Sequence, residues 1–349
     1  MHMPERDPRP PRSLHPCFRA NAVGCRPSVS SVRLAMVCLV VAAAQIHAQT
    51  EPTSKGAALV LRTNDVLAFV GGEDIVTAQQ HGYIETLLAA EIASKNLRFR
   101  NLGWEGDTVF EQRRDLNFPS WEQTLAKVGA TVVIAQFGQA ESLRGLDAIP
   151  KFRQAAVDLL GRLTGTNRHV IVLAPPPFER PPGEQPNLTT NNATLRAYSD
   201  ELKRLCRINQ WTFIDPWASS GAPLRPFTRD GLHLNAEGHW QLATHLASML
   251  QPGKGRRGFT FIPTTGRFAG HAVEELRKAI VAKNQLWFDY WRPQNWAFLA
   301  GDRTEQPSSR DHRNPKVRWF PNELEQFLPL IEAREREVKR LAEGLAQAN

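Results

Sequence analysis

From residue 65 to residue 250 the chain repeats one pattern: a short apolar run, then a longer segment with helical periodicity. The runs are DVLAFVG (65–71), LRFRNLG (97–103), TVVIAQFG (131–138), HVIVLAPPP (169–177) and WTFIDP (211–216). Apolar runs without polar alternation mark strands covered on both faces. Between them, YIETLLAAEIAS (83–94), SWEQTLAKVGA (120–130), AIPKFRQAAVDLLGRL (148–163) and TTNNATLRAYSDELKRLCRIN (189–209) read as helices, and NAEGHWQLATHLASML (235–250) closes the series. Ser120 and Asn235 stand where N-caps belong. Alternation of this kind predicts an α/β fold, a doubly wound sheet of five parallel strands. Sites in such sheets lie beyond the carboxyl ends of the strands. The loops that matter are therefore 71–82, 103–118, 137–147, 175–188 and 216–234.

The flanks differ from this body. Residues 33–48, RLAMVCLVVAAAQIHA, place Arg33 before an apolar run and end on a small-residue exit, the pattern of a signal peptide. Residues 1–48 are therefore expected to be a leader, 57–250 the α/β domain, and 251–349 a C-terminal extension. The leader predicts export to the periplasm, the cell surface or the medium. After residue 50 no run of about eighteen apolar residues occurs, so no membrane span is expected once the leader is removed. Cys17, Cys25 and Cys38 fall in the leader. Cys206 alone remains, on a predicted helix, and is expected in the core rather than in a disulfide.

The net charge of +8 is unevenly spread. Residues 1–48 hold six Arg against Glu5 and Asp7, residues 49–250 hold 20 basic and 21 acidic side chains, and residues 251–349 hold 17 and 12. A near-neutral body argues against nucleic acid as a partner. In the extension, 271–291 and 321–345 are expected to be helical and 291–319 irregular. Four of the nine Trp lie there. Trp287, Trp291, Trp296 and Arg292 suit stacking on sugar rings, but hydrophobic anchoring of the tail on the α/β body is the expected use.

Four short blocks fall on the strand-end loops in chain order: VGGEDIVTA (70–78), NLGWEGDTV (101–109), FGQAES (137–142) and DGLHLNAEG (230–238). Each is weak alone, and their order and placement carry the information. In this the chain resembles the SGNH, or GDSL-type, hydrolase family, over roughly residues 60–250. The resemblance implies a flavodoxin-like sheet and hydrolysis of carbohydrate or acyl esters. It further implies that His233 is a general base, that Asp230 orients it, and that Gly106 supplies an oxyanion N–H. An ester carbonyl is attacked by an oxygen that a neutral His deprotonates, a carboxylate fixes the His tautomer, and preorganised donors stabilise the oxyanion.

Two positions depart from the family pattern. Where the family has Gly-Asp-Ser this chain has Gly71-Gly72-Glu73, or Gly72-Glu73-Asp74 in the other register, so Glu73 or Asp74 occupies the nucleophile position. Where the family has an oxyanion Asn, this chain has Ala140. Three substitutes are conceivable: Glu73 or Asp74 as nucleophile or base, Thr77 as hydroxyl, and Gln139 as amide donor. Glu73, Asp74, Asp230 and His233 also contain hard or borderline metal-ligand types, yet no HExxH, CxxC or phosphate-loop motif accompanies them. No metal or cofactor is therefore expected. Asn187 and Asn192 begin sequons that matter only in a glycosylating host. The expectation is an exported ester hydrolase acting on a small-molecule or glycan ester. The alternative is an inactive relative that binds glycan or protein.

Overall fold

The computed structural model describes residues 61–218, 225–251 and 258–347. The expected leader and most of the expected linker at 251–258 lie outside the described residues.

β1 (Val66–Gly71) is buried from end to end. Leu67 and Phe69 enter one packing layer, Ala68 and Val70 the other, as the period of two demands of a strand between two helix layers. There follow α1 (Glu73–His81), α2 (Tyr83–Glu91), β2 (Arg98–Asn101), α3 (Trp121–Val128), β3 (Val132–Gln136), α4 (Gln139–Ser142) and α5 (Ile149–Thr164). Then come β4 (His169–Leu173), α6 (Asn192–Asn209), β5 (Thr212–Ile214) and α7 (Ala236–Leu250). The five strands form one parallel sheet in the order β2-β1-β3-β4-β5. The chain leaves β1 toward one edge and returns past it to β3. That reversal opens a crevice at the carboxyl ends of β1 and β3.

Helices cover both faces. Leu125 of α3, Leu159 and Leu163 of α5 and Leu202 of α6 pack on the Ala68, Val133, Ala135 and Val170 side. Leu87 and Leu88 of α2 and Leu242 and Leu246 of α7 pack on the Leu67, Ile134 and Ile171 side. Each buried Leu, Ile or Phe contributes roughly 1.5–3 kcal/mol. Cys206 is unpaired and sits in the first of these layers. Ser120 and Gln123 close a reciprocal capping box at the start of α3, and Asn235 Oδ1 accepts the Gly238 N–H at the start of α7.

Three sequence expectations need correction. Residues 71–82 are not a loop: α1 begins two residues after the strand, and Gly82, at φ +68°, turns it directly into α2. Gly72 gives no side-chain cap, so the helix start was visible only as Glu73 and Asp74 in its first turn. The 321–345 helix is two, α10 (Trp319–Glu325) and α11 (Phe327–Gln347), separated at Gln326. Pro329, which has no N–H to donate, falls in the first turn of α11, where helices tolerate it. The stretch 291–319 is not wholly irregular, since it holds α9 (Trp296–Leu299).

The extension opens with a small antiparallel pair, β6 (Phe261–Ile262) and β7 (Arg267–Phe268). α8 (His271–Trp291) then packs against α11, and these two helices lie on α1, α2 and β2. Lys283 of α8, 1% exposed, meets the Glu85 carboxylate of α2 at 2.6 Å. Trp287 and Trp291 are buried, and the indole N–H groups of Trp287 and Trp296 donate to the carbonyls of Asn101 and Leu116 at 2.7 and 2.9 Å. These rings anchor the tail on the α/β body, and burial of Trp287 and Trp291 takes their faces away from a sugar ring. Among the described residues no helix is long and apolar enough to cross a membrane.

Candidate functional site

The 230s loop lies at the same rim of the sheet as the turn after β1. Leu234 N–H donates to Asp74 Oδ1 at 2.8 Å, and Arg229 Nη2 reaches Glu73 Oε1 at 2.9 Å. The second block joins them through Trp104 N–H, which donates to Gly71 O at 2.9 Å. A Cβ at Gly71 would sit 2.6 Å from Gln136 O and 2.8 Å from Ile75, so this turn demands glycine. Glu141, 2% exposed, ties the second block to the third: one oxygen accepts Val109 N–H at 2.7 Å, the other Gly138 N–H at 2.8 Å. Gln139 Nε2 closes the circle by donating to Leu232 O at 3.1 Å and Pro176 O at 3.0 Å. All four blocks therefore meet in one place.

At its centre is a carboxylate–imidazole pair. Asp230 Oδ2 lies 2.7 Å from His233 Nδ1. Asp230 Oδ1 accepts the N–H groups of Leu232 and His233 at 3.0 and 2.7 Å. Burial works against the charge on Asp230, but the ring and backbone donors outweigh it and bring the carboxyl down to about 2. Asp230 is thus ionised at neutral pH, and it fixes the tautomer in which His233 Nε2 is the acceptor. Both side chains are about 30% exposed, so water and substrate can reach the ring. Glu179 holds the loop from beneath, its Oε2 accepting Phe227 N–H, Thr228 N–H and the Thr228 hydroxyl.

The nucleophile position is acidic. Glu73 is the first residue of α1 and pairs with Arg229. Asp74 is buried under the 230s loop, and burial raises its carboxyl to about 6 against the pull of Leu234 N–H and His233. Thr77 does not supply the missing hydroxyl. Its Oγ1 donates to Glu73 O at 3.0 Å and lies 3.0 Å from Nε2 of His239, which is 2% exposed and whose ring centre lies 4.5 Å from that of His81, tilted by 33°. Burial pushes His81 down to about 4 and His239 well below its ordinary value, so both are neutral packing groups at pH 7. No hydroxyl among the described residues hydrogen-bonds to His233.

The oxyanion side is partly furnished. Gly106 adopts φ +78° in an open turn, and nothing crowds its Cα. Its N–H, and that of Glu73 at the start of α1, donate to no other described residue. Gln139 cannot replace the missing Asn, because its amide is committed to two carbonyls, and Ala140 is exposed and has no donor. Among the described residues no three His, Cys, Asp or Glu side chains gather as metal ligands.

Residues 70–241 match the family model of the GDSL-like lipase/acylhydrolase family. The α/β domain belongs to this family. No curated protein matches the sequence. Among solved structures, a gut microbial diltiazem-metabolizing enzyme aligns over 84% of this chain and 97% of its own, at 11% identity and a TM-score of 0.54. A catalytic mutant of an acetylxylan esterase from Geobacillus stearothermophilus aligns over 55% and 96%, at 18% identity and a TM-score of 0.45. A carbohydrate acetylesterase from Sinorhizobium meliloti aligns over 53% and 97%, at 16% identity and a TM-score of 0.41. At these identities the first likeness shows a shared fold, and the other two are too loose to carry an argument. At 84% of the chain the first alignment is longer than residues 1–250, so it reaches into the C-terminal extension.

Sequence reasoning named the pair Asp230 and His233, the Gly106 turn and the acidic residues of the first block, and the structure brings them together. It missed the roles of Glu141, Glu179 and Arg229. Glu141 stood within a named block and its spacing after Gly138 was available. Glu179 sits among prolines in PPPFERPPG, where no pattern marks it.

Proposed function

We propose that this chain is an ester hydrolase that uses water directly, with His233 as general base. The observation that supports it most is the Asp230–His233 pair at 2.7 Å, about 30% exposed, with no hydroxyl among the described residues bonded to the His233 ring. Where a serine would attack the carbonyl and become acylated, a water at His233 Nε2 gives up its proton as its oxygen adds to the ester carbonyl. The oxyanion falls to the N–H groups of Gly106 and Glu73, and collapse expels the alcohol, which takes the proton back from His233. The acid and the alcohol leave in one cycle without a covalent intermediate. Membership of the family supports a small-molecule or glycan ester as substrate, and the leader-like residues 33–48 support export.

The test is pre-steady-state hydrolysis of para-nitrophenyl acetate by purified protein, with intact-mass measurement of the quenched reaction. Turnover with neither a burst of nitrophenol nor an acetylated protein is expected. A stoichiometric burst with a mass gain of one acetyl group contradicts the water route.

One observation favours a second reading, a non-catalytic binder of glycan or protein. With Ala140 at the oxyanion Asn position and Gln139 committed elsewhere, the site lacks a side-chain donor of a kind often worth about 3 kcal/mol. The double variant Glu73→Ser, Ala140→Asn separates the readings. If it hydrolyses aryl acetates strongly while the natural chain does nothing, the scaffold is competent and the natural residues abolish catalysis.

A further inference from the structure

The loop that carries Gly106 is held from outside the GDSL-like domain. Along residues 101–118, the extension contacts it at successive points: Trp287 at Asn101, Arg292 at Trp104 and Glu105, Trp291 at Trp104 and Phe118, Trp296 at Leu116 and Phe118, and Ala300 O at Asn117. The contacts nearest Gly106 are ionic and aromatic, and the Arg292–Glu105 pair is a close ion pair without hydrogen-bond alignment. Arg292 Nη1 lies 2.7 Å from Glu105 Oε2, and its guanidinium lies 4.0 Å from the Trp104 ring centre. Arg114 lies 4.3 Å from the same ring and grips Asp107 with two hydrogen bonds of 2.7 and 2.6 Å. Trp104 therefore contacts two guanidinium groups, and each acidic neighbour of Gly106 is held by one of them. Arg114 belongs to the domain itself, whereas Arg292 comes from the extension.

A glycine at positive φ in an open turn has no contact of its own to fix where its N–H points. Its direction is set by its neighbours. Arg292 is the planar, always-charged group that such a double contact requires, and Lys would keep the charge but lose much of the stacking. The side chain of Arg292 is 14% exposed and that of Glu105 44%, so the ion pair is only half-sheltered, and packing of the guanidinium on the Trp104 ring holds it in place beside Glu105.

We infer that the C-terminal extension is a working part of the site: Arg292 is a positioning residue that, through Glu105 and Trp104, sets the direction of the Gly106 N–H. The catalytic part of this inference rests on the ester-hydrolase reading, while the mechanical part does not. The site is thus incomplete in the α/β domain alone, and the tail's aromatic residues serve the catalytic loop rather than a separate ligand.

The experiment compares the full-length chain with Arg292→Ala, Arg292→Lys and Glu105→Ala. Arg334→Ala, which breaks an exposed ion pair with Glu337 on α11, is the control. Two readouts are taken: amide hydrogen exchange of peptides covering 103–109, and kcat and KM on para-nitrophenyl acetate. In Arg292→Ala and Glu105→Ala, exchange in 103–109 is expected to quicken about tenfold while the β-strands stay protected, corresponding to local loosening. With it kcat is expected to fall about tenfold to a hundredfold at nearly constant KM, as misplacement of a transition-state donor would produce. Arg292→Lys is expected to recover part of both, and Arg334→Ala to change neither. Unchanged exchange at 103–109 in Arg292→Ala overturns the clamp. Quickened exchange with kcat untouched in an active enzyme overturns its catalytic part. If the natural chain shows no turnover at all, the ester-hydrolase reading and the catalytic part fall together, and the exchange data still decide the clamp.

Discussion

Asp230 shows how much of the site's chemistry a single carboxylate sets. It spends one oxygen on two backbone N–H groups and the other on His233, so it can neither rotate nor protonate at neutral pH. Asp74 is its opposite, a carboxyl held in a dry place with one backbone donor. Its folded-state value of about 6 lies above the ordinary 3.8, so the folded chain binds this proton more tightly than the unfolded chain. Stability therefore falls as pH rises through that window, and the burial cost is fully felt above it. Asp74→Asn keeps an oxygen for Leu234 N–H and removes the charge. Relative to the natural chain it should gain up to about 3 kcal/mol between pH 3.5 and 7.5. Urea denaturation at both pH values checks this, and a gain that does not change with pH contradicts it. At this scale the sequence disclosed the residues that a motif names, Asp230, His233 and Gly106. It showed only half of Glu141, whose bond to Gly138 has capping spacing while its bond to Val109 spans 32 positions, and none of Glu179, whose partners lie 48 and 49 positions away and follow no spacing rule.

Among the elements, the strands were the most legible, because a run such as VVIA buried on both sides has few other uses. β1, β3 and β4 fall within the expected runs and are shorter than them by one, three and four residues. α1 was not legible. It starts without a side-chain cap and ends on a glycine shared with α2, so the usual start signal is missing. This matters for function, since α1 puts Glu73 and Asp74 on a helix N-terminus rather than in a flexible loop. Between α2 and α8, Lys283 and Glu85 form an ion pair almost wholly removed from water. Lys283→Met leaves the Glu85 carboxyl buried without its partner and should cost about 3–5 kcal/mol. Pairing it with Glu85→Leu should recover most of that loss. A double variant as unstable as Lys283→Met would show that packing around the two chains, and not their charges, sets the cost.

For the molecule as a whole, the domain and the extension act on one another. The sequence indicated a five-stranded α/β body and a Trp-rich tail expected to pack on it. It gave no sign that the tail grips the second-block loop, because the partners of Trp287, Trp291, Arg292 and Trp296 are an irregular segment with no periodicity of its own. The architecture joins the Asp230–His233 pair, the Gly106 turn and a tail that contacts the loop bearing that turn, around a position where an acid stands in place of the expected serine. The central claim is that His233 is the base of a working site. It is tested most directly by measuring turnover of para-nitrophenyl acetate by the natural chain and by His233→Ala at equal concentration. A loss of about a hundredfold or more, typical of removing a positioned base, is predicted; equal rates would contradict it.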